Sequence, residues 1–360
     1  MNKEIITDKQ GISLIALFIM GSSLVIGIGA DAEKDSWIAI IISIFFAFLI
    51  FIIYARIFFL FPQKDLFDII NIIFGKTLGI VINSLYIWYA FHLGALVLRN
   101  FSEFIKTVAL EQTPEVFPMI CFMFLCVWGI KEGIEVLGSW AEFTLITFFI
   151  LICLTIPMQI PNMQLNHILP MLSKGFDPVL KGAFAVFSFP FAETILFGFI
   201  FSGVRKKKSP YKIYLVGLVI GGLFIFITAL DELLVLGAHA YTTTYFPAHS
   251  AVSRMNIGDF IQRSEIIVAI GFLGAGFIKI CICLLVVCKG ITKLFGFSDY
   301  RFSILPISLL MLNLSILIYE DILEMVDWAF HIYNYYAFPF QVLFPVIILA
   351  GAEIKRRNRI

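Results

Sequence analysis

The chain has 360 residues, of which 60% are hydrophobic and only 14% are charged, and its formal net charge is +1. Soluble domains carry about 25% charged residues, so this chain has too few polar side chains to cover a water-facing surface. It is predicted to be an integral membrane protein. The near-neutral charge and the lack of a basic stripe argue against nucleic-acid binding.

Apolar segments along the chain predict ten membrane-spanning helices, because a span takes about 20 mainly apolar residues. In chain order they are residues 11–30, 36–61, 79–108, 115–131, 134–156, 176–203, 211–235, 262–289, 302–319 and 330–354. Helices are expected rather than a barrel, because a helix satisfies its own backbone groups and the alternating pattern of barrel strands is absent. The first segment is interpreted as an uncleaved span and not as a signal peptide, because it is long, internally interrupted and followed by further spans.

Lysine and arginine are distributed unequally between alternate connections. With the N-terminus inside, 18 of them fall on the cytoplasmic side, 7 fall outside, and Lys279 lies within a span. Cytoplasmic connections carry the excess of positive charge in membrane proteins. Both termini are therefore predicted to be cytoplasmic. The run 205–208, all lysine and arginine, is expected to contact anionic membrane lipid.

Two spans carry helix-interrupting residues near their middles. The first reads "LFIMGSSLVIGIGAD", and the sixth reads "GAFAVFSFPFAETILFGFIFSG". The proline of the sixth span lacks a backbone donor and clashes with the preceding turn, so the helix is expected to break or kink there. Interrupted segments at corresponding positions of two halves are typical of inverted-repeat transporters. The whole chain, residues 1–360, is thus predicted to form one transmembrane domain of two five-span repeats, about 11–156 and 176–354. Two ordinary kinked helices are the alternative.

Five further stretches carry a resemblance to a known family: "KDSWIAIIIS", "FPQKDLFDIINIIFGKTLG", "PNMQLNHILPMLSKG", "FPFAET" and "YFPAHSAVSRMNIGDFIQRSE". The sequence resembles the B-subunit family of bacterial spore germinant receptors, a branch of the amino acid–polyamine–organocation (APC) superfamily. Ser264 departs from the apolar residue usual there. The resemblance implies a ten-helix fold of the leucine-transporter (LeuT) type with broken helices 1 and 6. It also implies a germinant-sensing role in the spore inner membrane, with a larger A-type membrane subunit and a C-type lipoprotein subunit as partners.

The two interruptions predict a ligand site. A half-helix that starts after Ser23 offers free N–H groups to a carboxylate, and carbonyls near Phe187 suit an ammonium group. Together they predict a clamp for an amino acid, and the apolar lining favours a small aliphatic one. The predicted lining residues are Gly21, Ser22, Ser23, Leu24, Phe187, Ser188 and Phe189.

The third span offers a side wall to this site. At 1.5 Å per residue, Tyr89 and His92 lie roughly 15–20 Å from Gly79, close to the middle of the bilayer. They are predicted to contact the ligand. The alternative is that they are packed rings whose polar tips bond to neighbouring helices.

Three ionisable residues within spans are predicted to have coupling or gating roles, because charge inside a span is costly. Glu193 follows the proline of span six, where stabilisation of a helix N-terminus is the alternative. Lys279 and Glu142 lie at similar depths in the cytoplasmic half. In the fold implied by the resemblance, they flank the place where sodium-coupled relatives hold an ion. The hypothesis is that the Lys279 ammonium, paired with Glu142, replaces that sodium; snorkelling to the inner surface is the alternative.

Two functions remain compatible with these residues. A receptor needs only a ligand site whose occupancy shifts a conformation, and a proton-coupled amino-acid permease of the same superfamily needs the same site. The resemblance favours the receptor. An enzyme is not expected, because no intramembrane metalloprotease motif or activated nucleophile occurs. No cofactor and no metal site is predicted.

Overall fold

The structure is a computed structural model that describes residues 5–21, 27–201, 208–254 and 265–357. The described chain is helical throughout. Its α-helices are α1 (Asp8–Met20), α2 (Ser36–Leu60), α3 (Leu66–Val108), α4 (Val116–Glu132), α5 (Ile134–Gln159), α6 (Asp177–Val186), α7 (Ser209–Leu236), α8 (Ala238–Thr243), α9 (Pro247–Ser253), α10 (Glu265–Phe295), α11 (Ile304–Leu317), α12 (Ile322–Asp327), α13 (Tyr333–Phe338) and α14 (Phe344–Arg357).

The outer surfaces of the long helices are apolar. Phe45, Phe124 and Phe143 expose 61%, 69% and 63% of their surface, as expected where lipid replaces water. Within the described ranges, seven helical segments are long and apolar enough to cross a membrane: Ala30–Leu60, Leu66–Val108, Ile134–Asn162, Asp177–Phe199, Ser209–Leu236, Ala269–Phe295 and Ile322–Arg356. The chain is an integral membrane protein. The described parts of α1, α4 and α11 are shorter, with 13, 17 and 14 residues, so the count of ten spans stays a prediction.

Helix α1 occupies the centre of the bundle. All residues from Leu14 to Met20 are fully buried, and α5, α7 and α10 pack around them. Helix α7 approaches closely because two glycines one turn apart face α1. A Cβ on Gly217 would lie 2.7 Å from Ile15, and one on Gly221 would lie 3.0 Å from Ile19. Small residues at this spacing let membrane helices pack backbone against backbone.

The sixth segment, residues 177–199, changes its backbone conformation at the middle. Helix α6 passes into a π-helical turn at Phe187–Phe191, and a 3₁₀ segment, Ala192–Phe199, follows. Within the turn, Phe189 has extended dihedrals, φ −130° and ψ 112°. Pro190 lacks the N–H that a continuous helix would need at this position. The interruption predicted in the first span falls at residues 22–26, which lie outside the described residues.

The last helical segment, residues 322–357, is also irregular. Two π-helical turns, Trp328–Ile332 and Pro339–Leu343, separate α12, α13 and α14. Such turns re-aim the side chains that follow them and frequently occur at functional sites. Here they direct Tyr333 and Gln341 toward the interior, where both are buried.

Candidate functional site

A fully buried ion pair lies at the centre of the bundle. The Lys279 ammonium on α10 is 2.6 Å from the Glu193 carboxylate, and both side chains are 0% exposed. Glu193 stands in the 3₁₀ segment, three residues after Pro190. A buried charge is very costly unless it is paired, so each of these residues depends on the other.

Helix α1 and the turn of the sixth segment enclose the lysine. Its Nζ lies 5.1 Å from the ring centre of Phe18 and 4.5 Å from that of Phe189, which places the cation over both rings. A Cβ added to Gly21 would lie 2.9 Å from the Lys279 Cδ. Apart from the ion pair, Nζ has no hydrogen-bond partner among the described residues. An ammonium has three N–H donors, so some of them are not used within the described residues.

A chain of hydrogen bonds runs from this pair to the last helical segment. The Tyr333 hydroxyl donates to the second carboxylate oxygen of Glu193, and it lies 3.1 Å from the Tyr89 hydroxyl. The Gln341 amide donates to Tyr89 (2.9 Å) and to the Ser188 carbonyl (2.8 Å), and its oxygen accepts from the Ser188 hydroxyl (3.0 Å). The network joins α3, the interrupted sixth segment and the last segment, and it fixes the carboxylate that holds the lysine.

A cavity of about 50 Å³ lies beside Phe189. Its walls come from residues 27–29, α3, the end of α6 and the last segment, and include Leu93, Asn100, Val186, Phe189, Tyr319, Tyr333 and Asn334. The volume accommodates a few waters, so a larger ligand would require side chains to move.

The predicted clamp is only partly assembled. Gly21 ends α1 beside Lys279, whereas Ser22, Ser23 and Leu24 lie outside the described residues. Phe189 lines the cavity, but the Phe187 ring lies in an apolar groove beside α2, with Leu49 and Phe338. The expectation that carbonyls near residue 187 are free for an ammonium is wrong. The Phe187 carbonyl accepts from the Ala192 N–H, and the Ser188 carbonyl accepts from Gln341.

The two aromatic residues predicted on α3 have different surroundings. The Tyr89 hydroxyl is bonded to Tyr333 and Gln341, next to the ion pair. His92 is buried one turn away, stacked on Trp88 with ring centres 5.8 Å apart and edge-on to Tyr336. Neither lines the cavity. Tyr89 therefore matches the packed-ring alternative, whereas His92 is packed but its Nδ1 has no hydrogen-bond partner among the described residues.

The predicted pairing of Lys279 with Glu142 is wrong, since the partner of Lys279 is Glu193. Glu142 is half-buried on α5. The estimated depths of Lys279 and Glu142 agreed, but depth does not say which way a side chain points. Snorkelling of Lys279 is also wrong, because its side chain is completely buried.

Sequence reasoning missed three members of the network: Tyr54, Tyr333 and Gln341. The Tyr54 hydroxyl lies 2.5 Å from the Gln341 carbonyl and 3.0 Å from the Ala192 carbonyl. A glutamine at the middle of an apolar span was the available signal, because polar residues there face protein and hydrogen-bond across helices. Nothing in the sequence distinguished Tyr54 and Tyr333 from the other aromatic residues, because the chain contains 12 tyrosines and 40 phenylalanines.

Sequence comparison gives this architecture a family. The profile of the family described as "Spore germination protein" matches residues 5–322. The chain belongs to the spore germination protein family. It is 28% identical to spore germination protein KB of Bacillus subtilis (strain 168), in an alignment that covers 100% of this chain and 97% of that one. It is 24% identical to spore germination protein A2 of the same organism, over 80% of each chain.

Solved structures show that this chain shares a fold with transporters. Mhp1, a nucleobase-cation-symport-1 family transporter in a closed conformation with bromovinylhydantoin bound, superposes with a TM-score of 0.70 at 13% identity, covering 99% of this chain and 80% of that one. MhsT in complex with L-phenylalanine gives 0.63 at 14% identity, covering 94% and 87%. This chain therefore shares the fold of these transporters, the LeuT-type fold that the resemblance implied.

Proposed function

We propose that this chain is the germinant-binding B subunit of a spore germinant receptor, with ten spans in two inverted five-span repeats and broken helices 1 and 6. The observation that carries the proposal is the buried Lys279–Glu193 pair at the interrupted sixth segment, beside the end of α1. Family membership supports the role in germination. The ligands named for the two transporter structures support a small-molecule site in this fold.

The proposed site lies between Gly21, Lys279 and Phe189, and extends into the cavity beside Tyr333. The spare donors of the Lys279 ammonium suit the carboxylate of a small aliphatic amino acid. The Phe189 and Phe18 rings would exclude water from this contact. A coupling sodium is not needed in this proposal, because the ammonium already supplies the positive charge between α1 and α10.

Ligand occupancy is proposed to act through the hydrogen-bond network. A ligand that draws Lys279 away from Glu193 would alter the contacts of Tyr333 and Gln341, and so the position of the last segment. A conformational shift requires only that the ligand bind one state more tightly. We propose that A-type and C-type subunits in the spore inner membrane bind this chain and respond to the conformational shift.

Titration of purified protein with a panel of L-amino acids by calorimetry tests the site. We expect saturable binding of one small aliphatic amino acid, equal in sodium and in choline buffer. Gly21→Ala should weaken binding at least about tenfold, since its Cβ would lie 2.9 Å from Lys279 and 3.2 Å from the Ala275 carbonyl.

The matched control is Gly222→Ala, whose Cβ would lie 3.2 Å from the Ile44 side chain and would make an ordinary 3.7 Å contact with the Phe191 ring. It should bind like the unaltered chain. Unchanged binding in Gly21→Ala would refute the assignment of Gly21, and binding that required sodium would refute the role of Lys279.

The second candidate is a proton-coupled amino-acid permease. The observation that favours it is the same ion pair, because a buried acid–base pair can exchange a proton with a transported ligand. Liposomes with the purified chain decide between the two: the receptor proposal expects no accumulation of labelled amino acid under an imposed pH gradient.

A further inference from the structure

A second group of buried charges lies apart from the candidate site. Asp231 and Glu232 stand near the end of α7, 7% and 6% exposed, and both line a cavity of about 60 Å³ between α5, α7 and α9. No lysine, arginine or histidine of the described residues forms a salt bridge with either one. Two uncompensated carboxylates in such a setting are costly.

The cavity walls supply further oxygens. Gln159 is 2% exposed and lines the cavity, and neither its Oε1 nor the Asp231 Oδ1 has a hydrogen-bond partner in the described part of the chain. The Thr155 hydroxyl is within 3.4 Å of the Ile152 carbonyl, and that of Thr228 is 3.0 Å from the Phe224 carbonyl. Each hydroxyl can donate its one hydrogen bond to a carbonyl of its own helix. Its oxygen lone pairs then remain available to a cation.

We propose that this cavity binds one divalent cation of the calcium type, held by Asp231, Glu232, Gln159 and the two threonine hydroxyls. Carboxylate, amide and hydroxyl oxygens are ligands of hard cations, and calcium accepts irregular sets of six to eight oxygens. A single doubly charged ion neutralises both carboxylates. The volume leaves room for water to complete the coordination.

The position gives the ion a structural role. Asp231 and Glu232 lie within about 8 Å of the end of α7, and the cavity reaches Ala248 on α9, in the connection between α7 and α10. A bound ion would join the end of α5 to the end of α7, next to this connection. No spacing in the sequence indicates the site, because its oxygens come from separate helices and the two acids are adjacent.

Full-length protein in nanodiscs tests the proposal with calcium as the probe. We expect saturable binding of about one labelled calcium ion per chain and a rise in Tm with calcium. Asp231→Asn and Glu232→Gln should each reduce calcium binding at least tenfold. Without calcium both variants should melt no lower than the unaltered chain, because each removes an uncompensated buried charge.

Thr228→Val provides an independent variant that keeps both charges, and it should weaken calcium binding several-fold. The matched control is Glu111→Gln, which removes an exposed acid outside the cavity and should bind calcium normally. Failure of the unaltered chain to bind calcium would overturn the proposal and indicate that the acids hold protons. An equal Tm shift from sodium chloride at matched ionic strength, or full binding in both acid variants, would also overturn it.

Discussion

The buried Lys279 constrains the side chains that surround it. Lys279 contacts Glu193, the Phe18 and Phe189 rings and the backbone side of Gly21, and each of these contacts is closed to water. Removing either charge leaves the other buried without its ionic partner, which costs more than the pair itself contributes. The ion pair is therefore a constraint on the fold as well as a candidate binding element.

Lys279→Met and Glu193→Gln should each lower the free energy of unfolding by about 3–5 kcal/mol, because each strands a buried group. The double variant should be more stable than the sum of the two losses predicts. Equilibrium unfolding in mixed micelles measures all three.

Lys174→Met is the matched control for this cycle. Lys174 lies 2.5 Å from Glu33, and the two side chains are 63% and 43% exposed, so its loss should cost less than about 1 kcal/mol. If Lys279→Met were as mild as this control, the buried pair would not constrain the fold as we argue.

Among the elements, the last helical segment determines the shape of the site as much as the sixth does. Gln341 stands in a π-helical turn and bonds to the backbone and side chain of Ser188, across from the point where the sixth segment loses its regular helix. An interrupted membrane helix needs another helix to satisfy its freed backbone groups. Gln341 supplies that partner for the Ser188 carbonyl.

Gln341→Leu should destabilise the protein by about 1–3 kcal/mol, because it leaves the Ser188 carbonyl and hydroxyl without this buried partner. Thermal unfolding in detergent measures the loss. Asn313→Leu is the control, because the exposed Asn313 amide bonds, within the described part of the chain, only to the Leu309 carbonyl of its own helix. Equal Tm values for the two variants would contradict the bridging role of Gln341.

For the whole molecule, the arrangement of positive charges predicts how the bundle sits in the membrane. Lys64 and the C-terminal cluster are assigned to the cytoplasm, and Lys174 is assigned to the outer side. The charge difference between the two sides favours a single orientation.

Cysteine labelling measures this orientation. In a chain whose six native cysteines are replaced, Lys174→Cys should react with a membrane-impermeant maleimide on intact cells, and Lys64→Cys should react only after permeabilisation. Both lysines are exposed in the structure, so access to each is limited by the bilayer alone. The reverse pattern would invert the predicted topology.

The sequence by itself determined that the chain is a helical membrane protein, because composition and apolar segment length depend on local chemistry alone. It also located Pro190 and the charges Glu193 and Lys279, since proline and ionisable residues are rare and costly inside a span. Short stretches of the sequence were likewise enough to indicate the family, and the match over residues 5–322 confirmed it.

Only the tertiary structure decided which of these residues meet. The partner of Lys279 is Glu193 and not Glu142, because pairing depends on the direction of each side chain around its helix, which depth along the span does not give. The same applies to Tyr333 and Gln341, which two π-helical turns direct inward. Contacts between elements distant in sequence are set by how the helices rotate and pack against one another, and no local pattern records that rotation.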